Sequence, residues 1–347
     1  MTTKTRYFLL GAAAVLVLGL AGGLIAYYGV PAIGAAAGEP DELEYVPADA
    51  AMVAFANVRE IMDSDVRQQL RQILPAGAAS AEVEGRRRFE EQTGINVETD
   101  IEHIVAYLVP AAEPEGQRDA VILARGRFEQ ARVEQVAEQH GGTGETYRGK
   151  RILVHRFNTP AAGSANPESR TPNPDKNPEM AVAFIQPGLV AVGTNRAVRG
   201  VIDLESGRGS SITTNDEFMR LIRETGEGNA WAVGSFERIA GHVGLPQNFM
   251  SNLSAITYFA AMGRIDSGVS GRLKAQARDA QAARDLSDVV RGFLALAKLQ
   301  TGASPELQTI LESLQLQSAD NTVTLSFTLP SSALPALVQR RPDRRGQ

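Results

Sequence analysis

The chain of 347 residues contains no cysteine. That excludes disulfides, thiolate zinc sites, iron–sulfur clusters, cysteine nucleophiles and lipid-modified cysteines, so in an oxidising compartment burial alone has to hold the fold. Histidine is scarce: there are four, His103, His140, His155 and His242. None stands at a metal-ligand spacing such as His-x-x-x-His, and no metal ligand is assigned. Aromatics make up 6% of the chain, with Trp231 the sole tryptophan, which leaves few ring faces for a sugar site. Trp231 itself sits in the apolar stretch Ala230-Trp231-Ala232-Val233 and reads as core. A formal net charge of −5 argues against a general nucleic-acid binder. Neither Gly-x-Ser-x-Gly nor Ser-x-x-Lys occurs, so the local signatures of serine hydrolases and penicillin-binding enzymes are missing.

Charge is also absent from one long stretch. Phe8 to Tyr28 carries none, and it is preceded by Lys4 and Arg6. A helix of about 20 apolar residues spans the hydrocarbon core and satisfies its own backbone hydrogen bonds there. After it no Lys or Arg appears before Arg59, while Asp41, Glu42, Glu44 and Asp49 accumulate. Because basic residues stay on the cytoplasmic side, the expected order is a cytoplasmic stub at 1–6, a transmembrane helix at 7–28 and a tether at 29–45. The main domain is then periplasmic, on a single pass through the cytoplasmic membrane. Ala35-Ala36-Ala37 before Gly38 offers an alternative, a cleaved export signal. The length of the apolar run and the interfacial pair Tyr27-Tyr28 favour a retained anchor. Gly19 and Gly23 have small-xxx-small spacing, which Gly- and Ala-rich segments also produce by chance.

With 43% hydrophobic residues, the rest of the chain has enough apolar material for a real core. Met52 to Ala56 reads as a buried strand, with Asn57 capping a helix. Val66, Leu70, Ile73 and Leu74 lie on one helical face, ended by Pro75. A helix is expected over 81–92, strands over 104–109 and 120–124, a helix over 128–140, and strands over 145–148 and 152–157. Residues 159–178, with five prolines among Ser, Asn and Gly, form a loop. Strands at 181–185 and 189–192 flank a Pro187-Gly188 turn. Asn195 opens a helix, and Thr214 with Glu217 has capping-box spacing for another.

The pattern then restarts. Ala54-Phe-Ala-Asn-Val-Arg-Glu-Ile61 has a counterpart in Ala232-Val-Gly-Ser-Phe-Glu-Arg-Ile239. A hairpin over 256–277, a long helix from Leu286 to Leu299, a short helix opened by Ser304-Pro305 and a final hairpin follow. In that hairpin Val323, Leu325, Phe327 and Leu329 alternate with polar residues, and a last helix begins at Ser331. The expected fold is α+β: mostly antiparallel sheets covered by helices, in two related repeats at 46–228 and 229–340, then a basic tail at 341–347.

Gly144-Glu-Thr-Tyr-Arg-Gly149-Lys150 spells most of a phosphate-binding P-loop, but Arg151 stands where Ser or Thr should hold magnesium. It also leads into a strand instead of a helix, so a hairpin turn explains it better. The carboxylates Glu90, Glu91, Glu98, Asp100 and Glu102, with His103 beside them, read as a solvated connection. No catalytic, cofactor-binding or metal-binding residue is assigned, and no cofactor is expected.

Tyr45-Val-Pro-Ala-Asp49, Thr93-Gly-Ile-Asn-Val-Glu-Thr-Asp-Ile101, Tyr147-Arg-Gly-Lys-Arg-Ile152 and Leu189-Val-Ala-Val-Gly193 resemble a bacterial family of membrane-anchored proteins of unknown function. That resemblance implies an extracytoplasmic α+β region with repeats and supplies no active-site residue. The expected role is a non-enzymatic binding or interaction domain of the cell envelope, with the membrane and an envelope protein or lipid as partners. A carrier or chaperone for an apolar ligand, resting on the wide apolar face around Phe293, is the alternative. A third is an envelope hydrolase with a site assembled from distant residues.

Overall fold

The computed structural model describes residues 39–73, 87, 89–110, 119–156, 179–225, 228–240, 255–300 and 311–331. The membrane helix expected at 7–28, most of the helix at 81–92, the proline-rich loop, the start of the helix at Ser304, the last helix beyond Ser331, His242 and the arginine tail lie outside the described residues. Among the described residues no helix is long and apolar enough to cross a membrane.

In chain order the elements begin β1 (Met52–Ala56), α1 (Val58–Met62), α2 (Asp65–Ile73), β2 (Ile101–Val109), β3 (Asp119–Gly126) and α3 (Gln130–Gln139). Next come β4 (Thr143–Tyr147), β5 (Lys150–Arg156), β6 (Glu179–Gln186), β7 (Leu189–Thr194), α4 (Asn195–Glu205) and α5 (Asp216–Glu224). The last are β8 (Ala230–Ser235), α6 (Phe236–Ala240), β9 (Ile256–Ile265), β10 (Gly268–Ala277), α7 (Ala280–Gln300), β11 (Gln315–Ala319) and β12 (Thr322–Pro330). Nine of the strand pairs are antiparallel, and the protein is α+β.

The described residues fall into two compact units, one holding 40–53 and 87–219, the other 54–73 and 220–331 with Glu39. In the first unit the strand order is β2-β3-β7-β6-β5-β4. Alternation along β6 buries Ala181, Ala183 and Ile185. Against that face lies α4, whose Val198, Val201 and Ile202 recur at helical spacing and are fully buried. Gly193 marks a close approach: a Cβ there would stand 2.1 Å from the Ala120 carbonyl oxygen. The P-loop-like stretch is the β4–β5 hairpin, with Arg148 and Gly149 at φ +48° and +80° in its turn.

In the second unit the order is β11-β12-β10-β9-β8. Helix α7 follows β10 and packs on β10, β11 and β12, and its Ala282, Ala283 and Leu286 are buried. The Asp279 side chain caps it, accepting from the Ala282 N–H at 2.7 Å. Trp231 is buried in β8 and stacks on Phe55 with ring centroids 5.5 Å apart, as a core role requires.

Two expectations change. Asp41–Tyr45, placed at the end of the tether, is a 3-10 turn with Glu42, Leu43 and Tyr45 buried, so the folded body begins earlier than Val46. The reason is tertiary, since Glu42 finds its partners far along the chain. The cap of α5 is Asn215, whose Oδ1 accepts from the Phe218 N–H at 3.2 Å. Thr214 instead donates back to the Ser211 carbonyl within the 3-10 turn Ile212–Thr214. The hairpin beside β3 is β6–β7, and β4–β5 extends the sheet outward from β6.

Candidate functional site

Among the described residues of the first unit, three clusters of ionisable groups carry the most buried or most densely bonded side chains. His103 on β2 and Arg125 on β3 stand directly opposite in the antiparallel register, so their side chains share one face. The 3-10 turn lowers Glu42 between them. Glu42 Oε2 lies 2.9 Å from His103 Nε2, and Arg125 Nε donates to Oε1 at 2.7 Å. The glutamate is 1% exposed. Burial alone would raise its carboxyl, but the hydrogen bond and charge of His103 and the bond from Arg125 outweigh it and hold the pKa at about 2. Tyr45, in the same turn, accepts a 2.6 Å bond from Gln186 Nε2. Burial, followed by the nearby charges of Glu44 and Glu205, raises its phenol.

The second group surrounds Asp119 at the start of β3, buried beside the N-terminus of α4. Thr194 Oγ1 donates to Asp119 Oδ1 at 2.7 Å, and Arg196 Nε bonds the other carboxylate oxygen. Thr194, the residue before α4, makes no capping bond with its own side chain. Asp119 thus supplies from another strand the negative charge that a helix start favours. Tyr107 is fully buried, and burial, then Asp119 and Asp49, push its phenol upward.

The third lies along the β4–β5 hairpin. Tyr147 donates to the Asp203 carboxylate at 3.0 Å, and the Arg199 and Arg148 guanidiniums stand 4.8 and 5.0 Å from its ring centre. Arg148 also bonds Asp203, and Arg199 reaches Glu145 at 2.7 Å. Lys150 Nζ donates to the Ile185 carbonyl at 2.6 Å and to Glu205 at 3.0 Å. The lysine of the P-loop-like stretch is therefore engaged with the protein's own oxygens.

These arrangements bind the fold to itself. A carboxylate ionised down to about pH 2 holds no proton to donate near neutrality, and each of its oxygens is already engaged by a side chain of the fold. The acidic connection resolves similarly: Asp100 accepts from the Asn96 N–H at 2.8 Å and Arg127 at 3.2 Å, and Asn96 Nδ2 reaches Glu90 at 3.2 Å. His103 turns from these neighbours toward Glu42, a pairing across 61 positions that no local motif announces. His140 bonds its own helix at Val136, and His155 lies on β5. Among the described residues no group of three His, Asp or Glu is arranged to hold a metal ion.

The other candidate surface is apolar. Leu286 on α7 is buried, whereas Phe293 is 38% and Leu296 50% exposed, so the helix is not enclosed on all sides over this part. Comparison with family models, curated proteins and solved structures finds no match for this chain.

Proposed function

We propose that the chain is a single-pass, membrane-anchored protein of the bacterial cell envelope whose periplasmic part, two related repeats, binds an envelope partner and performs no catalysis. The observation that carries this reading is the uncharged run from Phe8 to Tyr28 behind Lys4 and Arg6, with no further basic residue until Arg59. The Glu42 clamp supports it, because a chain leaving a membrane and entering a buried, doubly bonded turn presents the domain from a defined point. The repeat reading is supported by topology. In each unit a hairpin's second strand (β3 or β10) pairs with the closing strand of a later hairpin (β7 or β12), whose first strand lies beyond it. The resemblance to membrane-anchored envelope proteins points the same way. Reporters fused after Gln347 test the topology: a periplasmic phosphatase is active and a cytosolic fluorophore dark. The opposite pattern ends the proposal. Capture from crosslinked membranes at native expression then recovers a defined partner, and a protein found alone contradicts the binding role.

A second reading, a carrier for an apolar ligand such as a lipid, is favoured by exposed Phe293 and Leu296 on α7. Mass spectrometry of the purified protein decides it, since a carrier retains lipid and an unliganded protein is not one.

A further inference from the structure

We infer that β11 is the edge through which this chain pairs with a second copy of itself. The backbone sets up the argument. The Ala277 N–H donates to the Asn321 carbonyl, so Asn321, Val323 and Leu325 direct their backbone groups toward β10. Thr322, Thr324 and Ser326 therefore serve β11, and their partners Ala319, Gln317 and Gln315 are used in that ladder. Leu316 and Ser318 are left with N–H and C=O groups on the outer side of β11, the last strand in the order.

Protein edges of this kind are ordinarily blunted by charge, proline or a bulge. Gln315-Leu316-Gln317-Ser318-Ala319 has no charge and no proline, and its register with β12 runs without a shift. The outer strand of the first unit, β4, differs: it carries Glu145, tied to Arg199, and Gly144 beside it. Three features select a second copy as the occupant. An uncharged strand meets its own copy without like-charge repulsion. The outward groups are self-complementary about a twofold axis, with Leu316 opposite Ser318 of the second copy and Gln317 opposite its own equivalent. Two of the three exposed large apolar side chains among the described residues, Phe293 and Leu296, lie on α7, the helix that packs on β11. A heterologous strand would instead be read by side-chain pockets along the edge, and Gln315, Gln317 and Ala319 are simply exposed.

The register makes a sharp test. Gln317 and its equivalent form a non-hydrogen-bonded pair, whose Cα separation of about 4.5 Å suits a disulfide. Because the chain has no cysteine, Gln317→Cys introduces a single reporter thiol. In the full chain purified in dodecylmaltoside, mild oxidation converts Gln317→Cys to a covalent dimer at least about tenfold faster than Thr146→Cys on β4, as proximity requires. Ser318→Pro, whose lost N–H faces outward, leaves the circular dichroism unchanged and raises the dimer dissociation constant at least about tenfold in sedimentation. Gly19→Leu, in the apolar N-terminal run, leaves the dimer intact. Equal crosslinking rates at the two edges overturn the inference, as does a dimer lost with Gly19→Leu and retained with Ser318→Pro. A chain that stays monomeric at tens of micromolar also ends it.

Discussion

Replacing Glu42 by glutamine keeps the shape of the side chain and removes its charge from between His103 and Arg125. The free-energy scale follows from the carboxyl itself. Its pKa falls from an ordinary 4.5 to about 2 in the folded protein. At about 1.4 kcal/mol per pH unit, that difference stabilises the ionised fold by about 3 kcal/mol. The sign is that of a depressed acid. The contribution is complete above pH 4.5 and is lost as pH falls toward about 2, because the unfolded chain takes up the proton first. Glu42→Gln is therefore less stable than the parent by about 2–3 kcal/mol at neutral pH, since one oxygen acceptor remains for Arg125. The difference between variant and parent shrinks by about 2 kcal/mol between pH 4.5 and 3. Urea unfolding followed by far-UV circular dichroism across that range measures both. Trp231 fluorescence reports the other unit separately, because Trp231 lies in the unit that does not contain Glu42. A Glu42→Gln protein within about 0.5 kcal/mol of the parent at pH 7, or a difference that does not change below pH 4.5, refutes the reasoning about this clamp.

Two further substitutions test the packing. Gly193→Ala places a Cβ 2.1 Å from the Ala120 carbonyl oxygen and 2.8 Å from Val121 Cα, both backbone atoms, so β3 and β7 must separate. It costs about 3 kcal/mol or more in chemical denaturation, and a loss below about 1 kcal/mol shows that the strands yield easily. Ser287, on α7, has its Oγ buried with no hydrogen-bond partner among the described residues. Ser287→Ala removes an uncompensated hydroxyl in a helix interior, so the thermal midpoint stays level or rises; a loss above about 1 kcal/mol reveals a partner for that oxygen.

The elements that were legible in the sequence are those whose signal is local. Alternation along β12, the i, i+3, i+4 face of α4, the Asn57 cap and the Pro187-Gly188 turn each rest on residues within a few positions of one another. The P-loop-like stretch likewise carries its signal in its own flanks, which lead into a strand, and its turn holds Arg148 and Gly149 at positive φ. What was missed lies at longer range. Thr214 and Asn215 are both competent caps, and only the 3-10 turn before α5 gives the role to Asn215. Glu42 looked like one more acid in a tether, and its partners stand 61 and 83 residues further on.

The amino-acid order alone determined the composition-level exclusions, the uncharged N-terminal run and the α+β alternation, because hydrophobic periodicity and turn chemistry act between near neighbours. Only the tertiary structure decided which hairpin lies beside β3, which backbone groups β11 leaves open, and that Glu42 closes a clamp. Strand pairing and buried charge depend on residues brought together across the chain, and no spacing along it encodes which of the available partners meet.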